Sequence, residues 1–190
     1  MKVNLNQAVQ IIRKGGILIF PTDTAFGMGC RIDDKKAVDK LFDIRNRAEN
    51  KAVPVLFDSS KQVRQYVLSF DKDVENLMTK YWPGALTIVL KCRRNMVPSL
   101  VRGGGDSLGV RIPDHSLILN LIRQVGVPIV GTSANFAGEK TPFKLKDVDE
   151  GLILKVDGVL VAESKGRQAS TVVDCTQKPW RVLRQGVLTL

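Results

Sequence analysis

Arg45, Arg47 and Lys51 place three cations within the seven residues Arg-Asn-Arg-Ala-Glu-Asn-Lys. Cations this close can clamp a polyphosphate, each arginine gripping it with two parallel donors. At the end of a helix the same charges also cap the helix dipole, and the pattern leaves both readings open. Three other clusters are rich in hydroxyls: Thr22, Asp23 and Thr24; Thr132, Ser133 and Asn135; and Ser170, Thr171 and Asp174, with Arg184 ten residues further on. The last two also read as turn chemistry and as a strand edge. Arg111 lies between Val110 and Ile112. A charge inside such an apolar run is costly unless it meets an anion or a solvated cleft, so this arginine is expected to face a cleft.

Each cluster sits where the hydrophobic pattern ends an element. Ile17-Leu-Ile-Phe20 reads as a buried strand that runs into Pro21-Thr-Asp-Thr24, and ligands gather at strand ends in open α/β sheets. Helical periodicity covers 5–14, 35–45, 59–67, 72–81 and 115–125, with Asn4, Asp33-Asp34, Ser59 or Ser60, and Asp71 as caps. Strands are predicted over 53–57, 86–90, 108–112, 127–130 and near 158–162, 170–174 and 180–184. Residues 91–106 form a basic, glycine-rich loop, and 136–150 a polar one with room for a short helix. The expectation is one α/β domain over residues 1–190, with a mixed parallel and antiparallel sheet.

Composition narrows the chemistry. Twenty-nine Lys and Arg against 19 Asp and Glu give a net charge of +10, which favours anionic partners such as nucleotide phosphates or RNA. Cys30, Cys92 and Cys175 are far apart, which speaks against a disulfide framework or a zinc site and fits a reduced cytoplasm. No apolar run reaches the length of a signal peptide or membrane span. A Walker loop is absent, and Gly27-Met-Gly29 lacks the third glycine of a dinucleotide fingerprint, position 32 being Ile. The one histidine, His115, reads as a first-turn helix residue and not as part of a triad.

Taken together, seven pieces resemble the threonylcarbamoyl-AMP synthase family (YrdC-like domains), in its order and spacing. They are Pro21-Thr-Asp-Thr-Ala-Phe-Gly-Met-Gly29, Arg45-x-Arg47-x-x-x-Lys51, Trp82-Pro-Gly84, Ser107-Leu-Gly-Val-Arg-Ile-Pro113, Thr132-Ser-Ala-Asn135, Ser170-Thr-Val-Val-Asp174 and Leu183-Arg-Gln-Gly186. The resemblance implies an α/β fold with a twisted mixed sheet flanked by helices around a basic concave cleft, and condensation of L-threonine, bicarbonate and ATP to threonylcarbamoyl-adenylate and pyrophosphate. Downstream transfer proteins would then carry the group to adenosine 37 of tRNA. It also implies Mg2+ carried with ATP, with Asp23 or Asp174 as possible outer partners, and direct RNA or tRNA binding as a family property. By resemblance Thr24, Arg111, Ser133 and Ser170 hold L-threonine. Arg47, Lys51, Ser107, Asn135 and Arg184 hold ATP, and Arg45, Arg47 and Lys51 act in catalysis. Arg45 stands where the family usually has lysine, and Thr141 is a further nucleotide candidate. The competing reading is a non-catalytic RNA-binding module, motivated by the charge but short of aromatic stacking residues, which make up 6% of the chain.

Overall fold

The computed structural model describes residues 1–164 and 166–190. The chain opens with strand β1 (Lys2–Val3) and helix α1 (Leu5–Arg13). Asn4 and Gln7 close a reciprocal capping box at the start of α1, each side chain accepting from the other's backbone N–H. Strands β2 (Leu18–Pro21) and β3 (Phe26–Gly29) then form an antiparallel hairpin. Both faces of β2 are covered. Ile19 joins the larger core, whereas Leu18 and Phe20 join a second core shared with α1 and helix α5 (Ser116–Val125).

Helix α2 (Lys35–Arg45) starts on Asp34, whose carboxylate accepts from the Ala37 N–H, and stops at Asn46, a left-handed residue with φ 50°. Strand β4 (Val55–Leu56), helices α3 (Ser60–Tyr66) and α4 (Lys72–Tyr81), and strands β5 (Leu86–Lys91) and β6 (Ser107–Arg111) follow. Beyond α5 come β7 (Ile129–Val130), β8 (Thr132–Ser133), a 3-10 turn at Leu145–Asp147 and α6 (Glu150–Lys155). Strands β9 (Gly158–Leu160), β10 (Thr171–Asp174) and β11 (Arg181–Arg184) complete the order.

The strands make two mixed sheets where the sequence suggested one. The first has the order β1-β9-β2-β3-β8, the second β11-β10-β5-β6-β4-β7. The expected strand over 127–130 is shorter, and the chain changes sheet directly after it. Val130 pairs with Val55 of β4 in the second sheet, and Thr132 with Met28 of β3 in the first. Gly131 is the joint: a Cβ there would lie 2.6 Å from Leu56 Cγ. Gly29 permits the same closeness from the other side, since a Cβ on it would sit 1.7 Å from the Val130 carbonyl oxygen. The two sheets therefore approach at backbone distance around residues 29 and 130–132, with polar groups left at their shared margin.

Candidate functional site

A cavity of about 160 Å3 opens at this margin. That volume is below the roughly 300–1,000 Å3 of drug-sized sites and suits a molecule the size of an amino acid. The β2–β3 turn supplies Thr22 and Thr24, β8 supplies Thr132 and Ser133, and β5, β6 and β11 supply Thr87, Arg111 and Arg184. Arg45, Arg47, Thr141 and Ser170 complete its polar lining, in which no acidic residue appears among the described residues. A larger groove, about 1,110 Å3, runs between α2 and residues 94–104. It shares Arg47 with the cavity, but none of the hydroxyl clusters faces it, so the smaller space is the candidate site.

The turn that presents Thr24 is tied by one hydroxyl. Thr22 Oγ1 donates to the Ala25 carbonyl at 2.7 Å and accepts from the Ala25 N–H at 3.1 Å. Arg111 is 6% exposed and anchored on three arms. Its Nε donates to the Gly84 carbonyl at 2.9 Å, Nη1 to Thr24 Oγ1 at 2.9 Å and Nη2 to Asp23 Oδ1 at 2.6 Å. Beside it, Arg184 donates from Nε to the Ser170 carbonyl at 3.0 Å and from Nη2 to Ser170 Oγ at 2.8 Å. Thr87 Oγ1 lies 3.0 Å from the same Ser170 oxygen, so the hydroxyl is fixed from two sides.

Arg45 and Arg47 are held differently. In a continuing helix, residues two apart point to nearly opposite sides. The left-handed Asn46 ends α2 between them and brings both guanidinium groups to the cavity. Arg45, 3% exposed, donates from Nε to the Asn135 carbonyl at 2.9 Å, with a longer 3.4 Å contact from Nη2 to Ser133 Oγ. Arg47 donates to the Lys51 and Ala52 carbonyls at 3.0 and 2.8 Å. Neither has an ion-pair partner among the described residues. Burial, with the neighbouring charge of Arg47, pulls Arg45 down to about 10, and burial lowers Arg47 as well. Arg111 is also lowered by burial, against the opposing pull of Asp23; Arg184 is lowered by burial and then by Arg111. A guanidinium so perturbed stays protonated at neutral pH, and its unfavourable charge is relieved by an arriving anion.

Seven expected residues line this one cavity: Thr24, Arg45, Arg47, Arg111, Ser133, Ser170 and Arg184, joined by Thr141. Three do not. Lys51 is exposed and gives the site only its backbone carbonyl to Arg47. Ser107 opens β6 opposite Lys91. Asn135 is buried beside Arg45, its Nδ2 donating to the Phe136 and Glu139 carbonyls, while its Oδ1 has no partner. The two carboxylates considered as outer metal partners are engaged elsewhere: Asp23 on Arg111, and Asp174 on the N–H and hydroxyl of Thr176. No group of three or more His, Cys, Asp or Glu side chains suited to a metal ion occurs among the described residues. Thr87 was missed because it sits inside the apolar run Leu86-Thr-Ile-Val-Leu90; a hydroxyl midway along a buried strand was the available signal. His115 occupies the N-cap position of α5 without capping it, its Nε2 lying 3.1 Å from the Glu163 carbonyl oxygen. No helix among the described residues is long and apolar enough to cross a membrane.

The chain is similar to the threonylcarbamoyl-AMP synthase of Bacillus subtilis, 31% identical over 184 residues, which are 96% of this chain and 53% of that protein. It superposes on the crystal structure of Pyrococcus abyssi Sua5 complexed with L-threonine with a TM-score of 0.91 and 32% identity, covering 96% of this chain and 54% of the other. Escherichia coli YciO gives a TM-score of 0.88 at 28% identity, covering 97% and 90%. The chain thus spans about half the length of the Bacillus and Pyrococcus relatives. The Sua5/YciO/YrdC family, described as telomere recombination, matches residues 10–186, and on that match the chain belongs to the Sua5/YciO/YrdC family.

Proposed function

We propose that this chain condenses L-threonine, bicarbonate and ATP into threonylcarbamoyl-adenylate, releasing pyrophosphate, to supply the modification of adenosine 37 in tRNA. The observation that carries this reading is the convergence of Thr24, Arg111, Ser133 and Ser170 with Arg45, Arg47 and Arg184 on one amino-acid-sized cavity. The Pyrococcus relative that takes L-threonine adds support, as do relatives named for the product. Arg111 and the Thr24, Ser133 and Ser170 hydroxyls hold the amino acid. Arg45, Arg47 and Arg184 hold the triphosphate. Lys51, Ser107 and Asn135, outside the enclosed volume, are assigned to the nucleotide by the family resemblance.

The threonine amine bonds to the carbon of bicarbonate with loss of water, giving a carbamate. A carbamate oxygen then attacks the α-phosphorus in line, and the bond from that phosphorus to the pyrophosphate oxygen breaks. Negative charge builds on phosphate oxygens, so fixed cations and positioning supply the catalysis. Mg2+ would travel with ATP, held by phosphates and water, consistent with a site built of arginines and hydroxyls.

The test is pyrophosphate release by the pure protein given ATP, Mg2+ and bicarbonate, with and without L-threonine and beside serine and valine. Release that depends on threonine is expected, with valine rejected because a pocket that hydrogen-bonds the substrate hydroxyl penalises its loss. Absence of threonine-dependent release by folded protein removes the reading. Salt-steep RNA binding as the sole activity would then favour the binding-module alternative.

A further inference from the structure

We propose that Asp23 is a positioning residue that reserves Arg111 for a zwitterion and so leaves phosphate to the other three arginines of the cavity. This rests on the reading of the cavity as an amino-acid and nucleotide site. Four arginines line the cavity: Arg45, Arg47, Arg111 and Arg184. Asp23 is the carboxylate in ion-pair contact with any of them among the described residues, and it serves only Arg111. It does so from behind. Asp23 is absent from the cavity lining, its side chain is 12% exposed, and its Oδ1 meets Arg111 Nη2 at 2.6 Å.

Two consequences follow from that placement. The first is geometric: with Nε on the Gly84 carbonyl and Nη2 on Asp23, the guanidinium plane is fixed, and Nη1 beside Thr24 is turned to the cavity. A fixed fork binds a carboxylate with less entropy loss. The second is electrostatic. Near Arg111 the carboxylate cancels one charge, which leaves a field suited to a ligand that is neutral overall, with a carboxylate and an amine. Around Arg45, Arg47 and Arg184 nothing is cancelled, and a polyanion gains most there. ATP and an amino acid would thereby be sorted before either touches a residue that reads its shape.

Calorimetric titration of L-threonine and, separately, of inorganic pyrophosphate into wild type, Asp23→Asn and Asp23→Glu tests this. For Asp23→Asn, threonine affinity should fall about tenfold, the worth of a charge-assisted hydrogen bond. Pyrophosphate affinity should rise about fivefold, and pyrophosphate should now displace threonine. Asp23→Glu, which keeps the charge, should retain the wild-type pyrophosphate affinity. A loss of threonine binding with pyrophosphate unchanged would reduce Asp23 to a structural prop and overturn the proposal. Where Asp23→Asn does not fold, the double variant Asp23→Asn/Arg111→Gln removes both charges. It should return pyrophosphate affinity to the wild-type value, and a different value overturns the proposal equally. If wild type binds no threonine, the substrate reading fails by itself, while the pyrophosphate comparison still decides the role of Asp23.

Discussion

Arg111 reaches the cavity from inside a sheet, between β5 and β4, whereas Arg45 and Arg47 reach it from the end of a helix. The strand-built end is prepaid in structure: Arg111 has three anchored arms and a carboxylate behind it, and Ser170 is held by both Thr87 and Arg184. The helix-built end has backbone carbonyls as its main acceptors and no counter-charge. The last carbonyls of a helix favour cations, which makes two adjacent arginines tolerable there without neutralising them. Arg111 is therefore fixed and neutralised within the fold, whereas Arg45 and Arg47 keep an uncompensated charge.

The comparison can be broken most sharply at Arg45. Arg45→Ala should lower threonine-dependent pyrophosphate release by roughly 100- to 1,000-fold, the cost of losing a fixed donor to developing charge. Calorimetry should find L-threonine affinity nearly unchanged; a parallel loss of both would mean that the two ends are one. Arg111→Ala does the reverse. Threonine affinity should fall more than ATP affinity. The variant also strands Asp23 in a largely buried place, at a cost of about 3 kcal/mol read by denaturant titration. Smaller is Thr87→Val, which frees the Ser170 hydroxyl on one side. About 1 kcal/mol of stability should go, with threonine affinity weakened and pyrophosphate binding unaffected. Smallest is Lys40→Ala, which removes an exposed pair with Asp157. It should change stability by about 0.5 kcal/mol or less, read by denaturant titration, and neither ligand's affinity. An effect on ligands from that remote pair would show that the two ends are not the units that matter.

Much of the fold was legible because its signals are local. The helix starts at Asp34, Ser59 and Asp71 follow from side chains that accept from backbone three residues on, and each does so. The strand ending at Pro21 was plain from four apolar residues meeting polar ones. Strand β3 was not, because Phe-Gly-Met-Gly carries little strand propensity. Its glycines are there for proximity: a Cβ at Gly27 would lie 2.7 Å from the Phe20 ring, and at Gly29 on top of the Val130 carbonyl. Missing β3 hides the division into two sheets, since β8 pairs with it and draws Thr132 and Ser133 away from β7.

The sequence by itself determined the inventory: which hydroxyls and cations exist, that they stand at the ends of elements, and that Arg111 inside an apolar run needs an anion or a solvated cleft. Only the tertiary structure decided the pairing. Asp23 and Arg111 are 88 residues apart, as are Arg45 and Ser133, and Thr87 and Ser170 are 83 apart. Contacts at such separation depend on strand order and on where one sheet ends and the other begins, and neither is written in any local stretch of side chains. Charge cancels with distance in space and not along the chain, so which arginines keep a counter-ion, and which wait for one, is settled by the packing of the two sheets.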